Sequence, residues 1–352
     1  MRNRIYKFLA LVIVLAILAG GWLWMDYRQY LASSLPLPDD KPLVFQIKPG
    51  ASFHSVVNKL VEQGVIDKPR YILFDARLGG NTTRIHVGEY RIQPGMTVSE
   101  FLAMLYRGDV IQYSLTLVEG WNFDQMLAAI QAVPQLDHRL AGLSDTAIME
   151  TIGHPGEHPE GRFMPDTYRY TRGMSDIEIL KRAYTAMADY LNEQWEQRAE
   201  GLPYDVPYDA LIMASIVEKE TGVAAERQTI AGVFILRLQK GMRLQTDPTV
   251  IYGMGEAYDG NIRRRDLQRD TPYNTYTRSG LPPTPIAMPG RDAIHASLHP
   301  DNTGYLYFVS RGDGSHHFSK TLEEHNQAVI KYQLKGRKRS FSSYKADEEK
   351  DQ

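Results

Sequence analysis

Apolar positions are distributed in three distinct ways along the chain. An uncharged run from Phe8 to Met25 stops at Asp26. Its roughly 18 residues, at ~1.5 Å rise each, nearly cross a hydrocarbon core as one helix. A polar stretch and the Pro-rich segment Leu35 to Pro42 then read as a linker. Short alternating elements follow. Leu43 to Ile47, His86 to Ile92 and Gln112 to Val118 have strand character, whereas Val56, Val57, Leu60 and Val61 recur at helical spacing, and Tyr71 to Leu78 fits a second helix. Thr97 and Glu100 form a helix-start signal, because hydroxyl and carboxylate can each satisfy an orphan backbone N–H, and Val98, Phe101, Met104 and Leu105 supply that helix's apolar face. From about Trp121 the helices lengthen. Ser175 and Glu178 open one, Pro207 to Thr221 gives a second ending at Gly222, and Ala224 to Lys240 gives a third ending at Gly241. Residues 244–300 are turn-rich, Leu306 to Ser310 is a short strand, and the charged tail from 336 to 352 lacks the apolar content to order itself.

These boundaries divide the chain into 1–7, an anchor at 8–25, a linker at 26–42, a small module at 43–119, a large domain at 120–335 and a tail at 336–352. Arg2, Arg4 and Lys7 precede the apolar run, which places residues 1–7 in the cytoplasm and everything beyond the run outside it, in a single-pass protein of the inner membrane. Trp22 and Trp24 then fall at the outer interface. A cleaved signal peptide is the rival reading, since Ala19-Gly20-Gly21 offers small residues at a suitable position. The run continues past that point through Trp22, Leu23 and Met25, which favours a retained anchor.

Composition narrows the chemistry. Of 352 residues 43% are hydrophobic and 23% charged, with a formal net charge of −2, so nothing draws the whole chain to nucleic acid. There is no cysteine, which removes thiolate nucleophiles, disulfides and thiolate-ligated metals. His154 and His158 are separated by Pro155 and Gly156, so no helix presents both imidazoles to a metal. No nucleophile turn surrounds Ser315 beside His316 and His317. Neither a metal nor a cofactor is expected.

The segment around Glu218 carries the strongest chemical signal. Leu211, Ile212, Met213, Ala214, Ile216 and Val217 make its helix apolar on every side, which implies burial within a domain. Glu218 shares a face with Leu211, Ala214 and Ser215, whereas Glu220 lies over Met213, Ile216 and Val217, so the two carboxyls point apart. Partial burial and the negative end of a helix dipole both disfavour the carboxylate anion. A carboxyl kept protonated in this way is a general acid. The alternative is an exposed helix end where Glu218, Lys219 and Glu220 are merely solvated.

Five ordered motifs then combine. They are Glu160-Gly161-Arg162-Phe163-Met164-Pro165-Asp166-Thr167-Tyr168, the stretch Ala214 to Gly222, Leu244-Gln245-Thr246-Asp247-Pro248-Thr249-Val250, Pro272-Tyr273-Asn274-Thr275-Tyr276 with Gly280-Leu281-Pro282-Pro283, and His316-x-Phe318 with His325-Asn326. Together they resemble the YceG-like family of endolytic murein transglycosylases over essentially the whole chain after the anchor. The resemblance implies an α+β protein in which an N-terminal transmembrane helix leads into a small LysM-like α+β module and a larger mixed α/β catalytic domain. It also implies cleavage of the β-1,4 bond between N-acetylmuramic acid and N-acetylglucosamine within peptidoglycan strands, leaving a 1,6-anhydro end. Glu218, the first Glu of the E-K-E run, is then the catalytic residue. Gln245, Asn274, Tyr276 and His316 are expected to line the cleft, Glu160, Asp166 and Asp247 to orient loops, and Glu220 to support Glu218. The expected partners are glycan strands, the inner membrane and peptidoglycan synthases, with trimming or termination of nascent strands as the role. Thr284 and Leu236 depart from the family's usual glycine and asparagine. Two other readings stay open: a noncatalytic peptidoglycan-binding scaffold, and a muramidase that uses water with Glu220 or Asp247 as second carboxylate.

Overall fold

The computed structural model describes residues 2–37, 41–80 and 85–337. Residues 38–40 of the expected linker and 338–352 of the expected tail lie outside these. The chain divides into two compact units: Met1–Ser114 with Gln135–Asp137 and Arg169–Met174, and Leu115–Pro134 with His138–Tyr168 and Ser175–Gln352.

In the first unit, α1 (Arg2–Ala32) is followed by β1 (Leu43–Ile47), α2 (Phe53–Glu62), α3 (Pro69–Leu78), β2 (Gly88–Ile92) and α4 (Val98–Arg107). β1 and β2 are antiparallel, with Phe45 opposite Tyr90. Both side chains are fully buried with Val57, Leu60, Ile72, Phe101 and Leu105, so the strand pair and one stripe of each helix make a single core. α4 starts where Thr97 and Glu100 predict: each side chain accepts the other residue's backbone N–H. It ends at Gly108, whose φ of 70° is the left-handed value that glycine adopts at little cost.

The expected boundary at Asp26 is corrected. α1 continues to Ala32, and Tyr27, Tyr30 and Leu35, assigned to a linker by the sequence, are core residues at 6%, 7% and 4% exposure. A hydropathy pattern ends at the first charge, but here the charge is matched: Lys68 Nζ stands 3.0 Å from the Asp26 carboxylate. The Tyr27 hydroxyl donates to Asp75 at 2.8 Å, so its ring can be buried without orphaning its polar end. Burying such rings is worth on the order of 2 kcal/mol each, which outweighs helix preferences of a few tenths.

β3 (Tyr113–Thr116) pairs with β4 (Thr167–Tyr170), and the division between units falls inside both strands. The second unit continues with α5 (Phe123–Gln131), α6 (Asp145–Ile152), α7 (Asp176–Glu196), α8 (Pro207–Glu220), α9 (Arg227–Gln239), α10 (Asp247–Met254), α11 (Arg264–Gln268), α12 (Arg291–Leu298), β5 (Tyr307–Ser310), β6 (His316–Ser319) and α13 (Leu322–Tyr332). α8 is its centre. Every residue from Ala210 to Val217 is buried, and α7, α9, α10 and α12 pack around it. Ser215 is the polar member of that run; its hydroxyl donates to Ile212 O and accepts from Ile286 N. Residues 244–300, read as turns, include three helices, of which α12 lies in the core against α8. α8 closes through extended Thr221 rather than a left-handed Gly222, whereas Gly241 after α9 has φ 67° as expected.

Candidate active site

The end of α8 sends its two glutamates in different directions. Glu218 is half-buried and accepts a hydrogen bond from Gly290 N at 3.0 Å. Gly290 is the N-cap of α12, so the carboxyl stands between the negative end of one helix and the positive end of another. Burial is the stronger influence: it raises the Glu218 pKa above the ordinary glutamate value, against the opposing pull of the Gly290 N–H. Glu119 adds to the rise. Its carboxylate lies so close to Gly290 that a Cβ there would fall 2.0 Å from Oε1. The backbone of Gly290, at φ −77° and ψ 172°, suits any residue, so space rather than conformation calls for glycine. Lys219 Nζ donates to Gly120 O at 3.1 Å, tying the helix end to the segment that carries Glu119.

Glu220 faces the other way. Thr246 Oγ1 donates to its carboxylate, and burial pushes its pKa up to about 7. It lines a cavity of about 560 Å³ together with Arg237, Gln245, Asp247, Tyr276 and His316. The Tyr276 hydroxyl donates to Asp247 at 2.6 Å, and His316 Nδ1 lies 2.8 Å from the Glu226 carboxylate. Arg237 is fixed by donating to Leu306 O and Leu244 O. Gln245 holds φ at 50°, a left-handed value that costs a non-glycine residue of order 1 kcal/mol and aims its side chain at the cavity.

Five of the residues singled out in the sequence thus meet in one cavity, but Glu218 is not among its lining residues. Asn274 is a correction. It is 1% exposed, its amide donates to the carbonyls of Asp266, Leu267 and Arg269, and its Oδ1 accepts from Tyr276 N. Every polar atom of that side chain is engaged in holding the loop, so it does not face the cleft. Asp166 is exposed at the start of β4, where it accepts from Thr167 N. Glu160 is 3% exposed and accepts from Phe123 N at the start of α5 and from the Tyr252 hydroxyl on α10. Glu119, Gly290 and Arg237 were not singled out by the sequence. No spacing rule connects Glu119 or Gly290 to a glutamate far away in the chain.

Burial raises the Glu160 pKa from 4.5 to about 7, and its consequence for stability can be measured. Because the folded value lies above the unfolded one, the protonated carboxyl favours folding fully below pH ~4.5, and that contribution is lost between there and pH ~7. At ~1.4 kcal/mol per unit the ceiling is about 3 kcal/mol, or several degrees of Tm. Glu160→Gln is expected to flatten this part of the Tm-against-pH curve. An unchanged fall between pH 4.5 and 7.5 would show that Glu160 is not its source.

A half-buried carboxyl at the end of a buried helix, gripped by one backbone N–H and flanked by a second carboxylate, describes a site suited to proton transfer. Comparison with known proteins agrees with the motif reading: the chain belongs to the YceG-like family, whose pattern matches residues 45–331. An endolytic murein transglycosylase of Bacillus subtilis is 32% identical over 312 residues, 84% of this chain and 86% of that protein. The same-named protein of Streptococcus pneumoniae is 26% identical over 366 residues, covering 92% of this chain but 64% of its own length. A crystal structure of a YceG-like protein from Listeria monocytogenes, 30% identical, superposes with a TM-score of 0.50 over 82% of this chain and the whole of that one.

Proposed function

We propose that this chain is a lytic transglycosylase that cuts peptidoglycan strands internally, at the β-1,4 bond from N-acetylmuramic acid to N-acetylglucosamine. The observation that carries the reading is Glu218, a carboxyl whose surroundings favour its protonated form. It donates its proton to the glycosidic oxygen as the C1–O bond breaks. The muramic acid C6 hydroxyl then attacks C1, and its proton passes to the Glu218 carboxylate. One residue serves as acid and then base, no water is consumed, and the product is a 1,6-anhydro end. Gln245, Tyr276 and His316 offer hydrogen bonds to acetamido and hydroxyl groups of neighbouring sugars from the cavity beyond the helix end. The names of the B. subtilis and S. pneumoniae relatives support the same activity.

α1, the one helix among the described residues long and apolar enough to cross a membrane, anchors the enzyme with its larger part outside the cytoplasm. The β1-α2-α3-β2 unit has the element order of a LysM-like glycan-binding module, and the enzyme trims or terminates nascent strands alongside peptidoglycan synthases. Hydrolysis is the second reading, and one observation favours it: Glu119 places another carboxylate beside Glu218, as a water-activating base would require. Mass spectrometry of digests of un-nicked strands separates the two. The expected fragments end in anhydro sugars; reducing ends throughout would mean that water is the nucleophile, and intact strands would mean a binding protein.

A further inference from the structure

The membrane end of the first unit has a built surface of its own. α3 crosses beside the outer end of α1, held at its start by Asp26, which bonds Lys68 and Tyr71. Tyr30 of α1 meets Lys68 and Tyr71 at the start of α3, whereas Tyr27, one turn closer to the apolar run, meets Tyr71, Phe74 and Asp75. α4 runs the same way: Val98 N is bonded to Ser33 O, and Tyr106 at its other end reaches Asp75. Descending α3 therefore means approaching the anchor. The Phe74 ring stands 5.4 Å from that of Tyr27, two residues beyond the last apolar residue, Met25. Leu78, one turn further on, lies ~6 Å beyond Phe74 along the axis. Phe74 is 45% exposed and Leu78 62%, although the opposite face of α3 is packed into the core. Arg77 and, on α1, Arg28 are exposed nearby. Of the acidic groups at this end, Asp26 is paired with Lys68 and Asp109 with Arg107; Asp75 keeps its charge while accepting two tyrosine hydroxyls, so Arg28 and Arg77 outnumber it two to one.

Resting on the reading of α1 as a membrane span, we propose that the C-terminal end of α3 is a second membrane contact, with Phe74 and Leu78 entering the headgroup layer and Arg28 and Arg77 meeting anionic lipid phosphates. The occupant is the bilayer because α1 delivers this face to it. Tyr27 lies ~3 Å outside Met25 along α1, so Leu78, ~6 Å beyond Phe74, comes level with the last residues of the apolar run, where interfacial side chains meet the headgroup layer. The contact fixes the module's height and tilt, which a span joined through a flexible linker would leave free.

The absence of cysteine makes site-directed labelling clean. Full-length chain carrying a nitroxide at Leu15→Cys, Leu78→Cys or Ser99→Cys, the last at the far end of α4, is placed in phosphatidylethanolamine–phosphatidylglycerol nanodiscs. Collisions with oxygen and with a water-soluble nickel chelate are then compared. The expected result is a label deep in the bilayer at 15, nickel access severalfold lower at 78 than at 99, and nickel access at 78 rising when Arg28→Glu and Arg77→Glu are combined. Equal access at 78 and 99 with 15 still buried overturns the contact and leaves the span intact. Nickel access at 15 overturns the span, and this contact with it.

Discussion

Glu218→Gln is expected to lower release of anhydro-ended fragments at least ~10³-fold, within the range that a positioned general acid supplies. The carboxamide keeps the shape of the side chain, and its oxygen can still accept from Gly290 N, so Tm should move by no more than a degree or two. What disappears is the transferable proton. Glu220→Gln is the contrasting variant. Its carboxyl faces Thr246 and the cavity, so substitution should weaken substrate use without removing catalysis. Its pKa of about 7 also exceeds the unfolded value, so folding loses stability as pH rises from ~4.5 to ~7, and the Gln variant should gain stability relative to it progressively across that window, in full above pH ~7. Near-normal turnover by Glu218→Gln, measured with Tm on the same preparation, would remove Glu218 from the mechanism.

Local chemistry was easily read wherever it sufficed to decide the structure. Thr97 with Glu100 and Ser175 with Glu178 mark helix starts because their hydrogen bonds close within one turn. The divergence of Glu218 and Glu220 follows from 3.6 residues per turn, and the structure realises it with Gly290 on one side and Thr246 on the other. What depends on distant partners was hidden. α12 has small apolar residues, Ala293, Ile294 and Ala296, among Arg291, Asp292 and His295, in a Pro- and Gly-rich stretch; only packing against α8 makes it a core helix. Asn274 looks like a ligand residue in a Tyr-rich loop, but three backbone carbonyls brought together by that loop claim its amide. The contact from Gly290 to Glu218 spans 72 residues, and no periodicity encodes it.

That contact gives the second large effect, in Gly290→Ala. The added methyl would sit 2.0 Å from Glu119 Oε1 and 2.3 Å from Cδ, so the carboxylate must swing away. The move costs on the order of 1–3 kcal/mol if the surroundings hold the Glu119 side chain, and less if its flexible end finds water. Activity should suffer more than stability. The groups bearing on Glu218 are Glu119 and Asp292, which favour its proton, and Arg227, which opposes it; the ammonium of Lys219 is turned to Gly120 O. Displacing Glu119 removes the stronger of the two negative charges acting on Glu218, so Glu218 releases its proton at lower pH and the alkaline limb of the rate profile moves toward acid. Glu119→Ala should shift that limb the same way while making room for a methyl at 290. In that background Gly290→Ala should change neither the limb nor Tm further, because a side chain that is gone cannot be displaced. Four proteins, each measured for Tm and rate against pH, complete the cycle, and strictly additive effects would show that Glu119 and Gly290 act on Glu218 independently.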